Sequence, residues 1–115
     1  MTDAVRIADI LERLERNEEI VRAGRESFLR SWLLQEAAIR NLEVIGEAAK
    51  RVSSPTQKRF PRVPWSGLAR FRDFAIHQYE RIEPARVWDI IADELPPLRR
   101  ALRANPPERR RNQGR

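Results

Sequence analysis

The chain has 115 residues, with 23 Lys and Arg against 17 Asp and Glu, giving a formal charge of +6, and it contains one His and no Cys. That length bounds it to one small domain, which would need a second copy to wall a deep cleft. The composition excludes disulfides, thiolate metal sites and a multi-histidine metal site within one chain. With no long apolar run and no signal-like N-terminus, the expectation is a soluble cytoplasmic protein with no membrane segment. Arg109, Arg110, Arg111 and Arg115 against Glu108 concentrate charge at the C-terminal end. Residues 1–104 therefore read as the folded domain and 105–115 as a basic, disordered tail, a solvated end rather than a nucleic-acid grip.

The elements read as all-α, because no segment alternates apolar and polar residues for long. The first helix runs from about Asp3 to Ala23 on Ile7, Ile10, Leu14 and Ile20, capped by Thr2 or Asp3 and broken at Gly24. A second, longer helix spans Arg25 to Val52, where Phe28, Trp32, Gln35, Ile39, Leu42, Ile45, Ala49 and Val52 recur at steps of three and four. Gly46 within it suits a close helix approach. Residues 55–64 form a proline-rich connector with room for one short turn. A third helix runs from Trp65 or Ser66 to about Tyr79. A fourth starts at Pro84, and Pro96 and Pro97 kink it or stop it before a further turn holding Leu98 and Leu102. The aromatic residues Phe28, Trp32, Trp65, Phe71, Phe74 and Trp88 read as core. The predicted architecture is an antiparallel up-and-down bundle of four to five helices, with a two-fold dimer as one way to complete a cleft.

One stretch carries chemistry: Arg72-Asp73-Phe74-Ala75-Ile76-His77-Gln78-Tyr79, with the only His and the only Tyr of the chain. His moves protons near neutral pH, and Arg grips phosphate through a planar fork of donors. On a straight helix Arg72, Ile76 and Tyr79 share one face, while Asp73 and His77 are i,i+4 neighbours on the next. Asp73 is thus placed to orient the imidazole. Arg72 does not aim straight at His77, so its side chain curls round, the helix frays near His77, or two chains share the site. Such a cleft suits a phosphodiester, with RNA as the substrate. A neutral His takes the 2′-hydroxyl proton, a second protonated His serves the 5′-oxygen, and Arg72 steadies the phosphoryl charge. The products would be a 2′,3′-cyclic phosphate and a 5′-hydroxyl, with no metal or cofactor. Taken without context, a lone helical His is more often a surface residue than a catalyst.

Arg72-x4-His77-x-Tyr79 resembles the signature of the HepT-like proteins in the HEPN superfamily of helical ribonucleases. The stretch Ile39-Arg40-Asn41-Leu42-Glu43-Val44-Ile45-Gly46-Glu47-Ala48-Ala49, Val63-Pro64-Trp65, and the segment from Glu83 to Leu98 are similar to that family in the same order. The likeness covers roughly 3–103. It implies a dimeric helical bundle with paired motifs lining a cleft, and a metal-independent RNA endonuclease acting as the toxin of a toxin–antitoxin pair. It also implies a minimal nucleotidyltransferase antitoxin that transfers AMP onto Tyr79. By that resemblance Arg72 binds phosphate, His77 is the general acid/base and Tyr79 is the modification site. Asp73 stands where the family has a polar residue, often Asn, and its negative charge suits orienting rather than RNA binding. Two other readings stay open: a non-catalytic partner subunit that docks a nucleotidyltransferase, and a nucleic-acid-binding helical dimer driven by the Arg-rich tail.

Overall fold

The computed structural model describes residues 2–104, so the predicted tail at 105–115 lies outside the described residues. Helix α1, Asp3–Val21, starts where Thr2 Oγ1 accepts a hydrogen bond from Val5 N at 3.2 Å. It buries Ile7, Ile10, Leu14 and Ile20. The chain then turns at Gly24, whose φ of 96° lies in the left-handed region that glycine adopts without strain.

The long helix predicted from 25 to 52 is two helices. α2 spans Arg25–Leu29 and α3 spans Trp32–Arg51. Ser31 takes an extended conformation and its Oγ accepts from Leu34 N at 3.1 Å, a new N-cap. The Gln35 amide donates to Phe28 O at 3.0 Å and to Leu29 O at 3.2 Å, satisfying the carbonyls that α2 leaves open. The periodicity crossed this break because steps of three and four continue through it. The break changes which residues are inside. Phe28 is fully buried and stacks at 5.5 Å on Trp88, but Trp32 is 67% exposed, against the core position predicted for it. Phe74, also expected inside, is 41% exposed.

The connector holds α4, Ser54–Arg59. Trp65 then anchors α5, Trp65–His77, by donating from Nε1 to the carbonyls of Gln57 and Phe60, both at 3.2 Å. α5 ends two residues earlier than predicted, so Tyr79 falls in a 3-10 turn, Tyr79–Arg81, off the face it would share with Arg72 on a straight helix. α6, Pro84–Asp89, passes through a π turn, Ile90–Glu94, into α7, Leu95–Ala104. The expected kink is therefore placed ahead of Pro96 and Pro97. The wider turn takes up the missing donors and ring clashes, and the prolines sit in the first turn of α7, where a missing N–H costs nothing.

α3 is the central helix and packs chiefly against α1 and α5. Contacts run in opposite order along each pair: Arg6 reaches Arg51 O while Asn17 meets Asn41, and Glu47 faces Arg72 while Glu36 meets Tyr79. The result is the antiparallel all-α bundle predicted, with α7 beside α1 through Glu15, Arg99 and Arg103. At the α3–α5 crossing, a Cβ on Gly46 would lie 2.5 Å from both Arg72 Cβ and Leu68 O, so only glycine allows this approach. Among the described residues no helix is long and apolar enough to cross a membrane.

Candidate active site

The C-terminal part of α5 carries Arg72 and His77, the following 3-10 turn carries Tyr79, and α3 supplies the wall. Arg72 is half-buried on Gly46, with its Nε 3.0 Å from Glu47 Oε1 and its Nη1 3.0 Å from Asp73 Oδ1. Glu47 also accepts from Arg51, at 2.9 Å from Nε and 2.6 Å from Nη2. Hydrogen bonding by Arg51, with Arg72 and Lys50 nearby, holds the Glu47 carboxyl below its ordinary range despite a partial loss of solvent. Asp73 is likewise lowered, first by the Arg72 hydrogen bond and then by Lys50, whose Nζ lies 3.7 Å away.

His77 is the final residue of α5 and is exposed. Its Nδ1 lies 2.9 Å from the main-chain oxygen of Asp73. A carbonyl oxygen can only accept, so Nδ1 carries the proton and the neutral ring keeps its lone pair on Nε2. Asp73 therefore meets the imidazole through its backbone, while its carboxylate faces Arg72 and Lys50. Arg72 and His77 share no described hydrogen bond or ion pair; Asp73 stands between them.

Tyr79 is exposed, and its hydroxyl donates to Glu36 Oε2 at 2.9 Å. That hydrogen bond, helped by desolvation and the charges of Glu36 and Glu43, raises the phenol above its ordinary value. Glu36, Arg40, Glu43 and Glu47 follow one another at steps of four, three and four along α3. They form one charged stripe of roughly 16 Å with Tyr79 at one end and Arg72 at the other. The sequence reading assigned no role to Glu36, Glu47 or Lys50. The helical spacing of this stripe was visible, but which helix it faces was not. Among the described residues, no three His, Cys, Asp or Glu side chains gather as a metal site.

The family described as ribonuclease HepT-like matches residues 10–104. The chain belongs to the HepT-like ribonuclease family of the HEPN superfamily. Among its relatives, the "Putative RNase MJ0127" of Methanocaldococcus jannaschii is 44% identical over 71 residues, covering 62% of this chain and 59% of that protein. The "Probable ribonuclease HepT" of Thermococcus cleftensis is 36% identical over 94 residues, covering 81% of this chain and 86% of that protein. The "Putative RNase TTE0752" of Caldanaerobacter subterraneus subsp. tengcongensis is 33% identical over 78 residues, covering 68% and 70%. The chain thus spans about three fifths of the first relative's length and most of the second's. No solved structure matches the chain.

Proposed function

We propose that this HepT-like chain is an RNA endonuclease that works as a two-fold dimer and needs no metal. The observation that carries this reading is the His77 hydrogen bond to Asp73 O, which leaves Nε2 of an exposed ring as the basic atom on the same helix as an Arg72 held by Glu47 and Asp73. Nε2 of one neutral His77 takes the proton of a ribose 2′-hydroxyl. The freed oxygen attacks the adjacent phosphorus, the bond from phosphorus to the 5′-oxygen breaks, and a protonated His77 from the second copy gives that oxygen its proton. Arg72 holds the phosphoryl oxygens as charge builds on them. A 2′,3′-cyclic phosphate and a 5′-hydroxyl result. DNA lacks the attacking hydroxyl and is inert by this route.

The dimer reading draws support from the apolar surface near the motif: Trp32, Leu33, Phe74, Ile76 and Tyr79 are all more than two-fifths exposed. Large exposed apolar side chains in one region suit contact with another protein. In the cell the chain acts in the cytoplasm as the toxin of a toxin–antitoxin pair. Its antitoxin is a minimal nucleotidyltransferase that places AMP on Tyr79, a reading that the exposure of this side chain supports. The added phosphate and adenosine then compete with RNA for Arg72 and the space beside His77.

The test is cleavage of mixed cellular RNA in EDTA by protein of confirmed unmodified mass, beside a His77→Ala variant. Cyclic-phosphate ends from the unmodified protein, lost in a folded His77→Ala, are expected. Undiminished cleavage by that variant, or none by a folded parent, would sink the endonuclease and leave the non-catalytic partner subunit as the better reading.

A further inference from the structure

A groove of about 380 Å³ opens along the charged stripe of α3, closed on one side by Arg6 and Asp9 of α1 and at its end by Arg72 and Ile76 of α5. Its size is in the range of small-ligand sites. Its lining is mixed. Val44, Ala48 and Ile76 offer apolar surface, Arg40 and Arg51 stand at the rim with side chains more than half exposed, and Asp9, Glu43 and Glu47 interleave with them.

A site built only for phosphate would leave its arginines uncompensated. Here Glu43 pairs with Arg40 and Glu47 with Arg51, so the lining away from Arg72 fits a flat, uncharged heteroaromatic ring better than a second anion. Apolar carbon covers the faces of such a ring, guanidinium planes stack on it, and carboxylates accept from N–H groups on its edge. Glu43 is the acceptor best placed for this. Its side chain is only 18% exposed, and among the described residues the one ion pair it makes is at 3.3 Å to the mostly exposed Arg40. Glu47, by contrast, is occupied by Arg51 and Arg72.

We propose that this groove is a nucleobase subsite for the nucleotide beside the phosphate on Arg72, and that Glu43 makes it select amino-bearing bases over uracil. Cytosine and adenine present an exocyclic amino donor to a carboxylate, whereas uracil presents carbonyl oxygens on both sides of its one N–H. The inference rests on the RNA reading for the identity of the strand.

Binding decides it without cleavage. Short single-stranded 2′-fluoro oligonucleotides of adenine, cytosine or uracil lack the attacking hydroxyl, and their affinity for the full chain is read by fluorescence anisotropy. Adenine and cytosine oligomers are expected to bind about fivefold or more tighter than uracil. Adenine stacks better than uracil on any surface, so the Glu43 variants are the deciding arm. Glu43→Gln supplies an amide donor to uracil oxygens and should bring the ratio to within about twofold, while Glu43→Asp, which keeps the charge, should retain the preference. Equal binding of all three by the parent, or an unchanged ratio in folded Glu43→Gln, overturns the subsite. Failure of unmodified RNA to be cut, with the base preference present, counts against the endonuclease and not against the groove.

Discussion

The Glu47 carboxylate holds Arg72 and Arg51 together, the first at 3.0 Å through Nε and the second at 2.6 Å through Nη2. Arg72 is thereby steered from the side of α3, which leaves for an anion the guanidinium donors that Glu47 and Asp73 do not use. Under the proposed function Glu47 is a positioning residue. Glu47→Gln keeps an acceptor but loses the charge; Glu47→Ala loses both. We expect kcat for RNA cleavage to fall in the order parent, Gln, Ala, by about fivefold and then about fiftyfold, with KM changing less. Melting should hardly move, since a partly exposed ion pair contributes little. Parallel losses in activity and melting temperature would make Glu47 merely structural.

Two glycines in this bundle should answer an alanine substitution in opposite ways. Gly46→Ala puts a Cβ 2.5 Å from Arg72 Cβ and Leu68 O, so α3 and α5 must separate. The expected cost is about 1–3 kcal/mol, read as a lower urea midpoint. At Gly67 a Cβ would meet nothing nearer than Pro64 Cβ at 3.7 Å. Gly67→Ala should leave stability unchanged or raise it by up to about 1 kcal/mol, because alanine is the better helix former.

Tyr79→Phe should separate the proposed modification from the proposed cleavage. It removes only the exposed hydrogen bond to Glu36. Cleavage should persist within about twofold of the parent, and stability should fall by no more than about 1 kcal/mol. Incubation with the nucleotidyltransferase and ATP should add the mass of AMP to the parent and none to the variant. An equal mass gain in both would move the modification site away from Tyr79.

Acid should loosen the start of the bundle first. Asp3 accepts from Ser53 N at 3.1 Å and from Thr56 Oγ1 at 2.6 Å, tying α1 to α4. Burial pushes its carboxyl up, but the hydrogen bonds of Ser53 and Thr56 outweigh that and the net shift is downward. A folded value below the unfolded one means the stabilisation is complete above the unfolded value and is lost as pH falls through the folded one. Urea midpoints should therefore fall below about pH 4. Asp3→Asn should be less stable than the parent at pH 7 and lose less of its stability on acidification. An identical pH slope in the two proteins would remove Asp3 from the account.

Much of the bundle was legible because burial repeats with the helical period. Ile7, Ile10 and Leu14 are inside as their spacing required, and Gly46 marks the helix crossing it suggested. The misses have separate causes. Ser31 caps a helix in the middle of an unbroken apolar rhythm, and periodicity does not see a cap that preserves its phase. Trp32 and Phe74 were placed inside because aromatic area is usually buried, whereas here they remain on the surface. At the motif, the residue order was plain. The side chains that brace it, Glu47, Lys50 and Glu36, come from another helix, and their facing depends on the antiparallel packing of α3 against α5.

The imidazole of His77 is held by a main-chain oxygen, and every amino acid provides one. What stands at position 73 can therefore be exchanged without shifting the ring, while its side chain, together with Glu47, sets how much positive charge Arg72 and Lys50 present to solvent. Geometry and local potential are thus under separate genetic control at adjacent atoms of one residue. A single codon change at 73 would then alter the charge beside Arg72 and leave the anchor of the His77 ring in place.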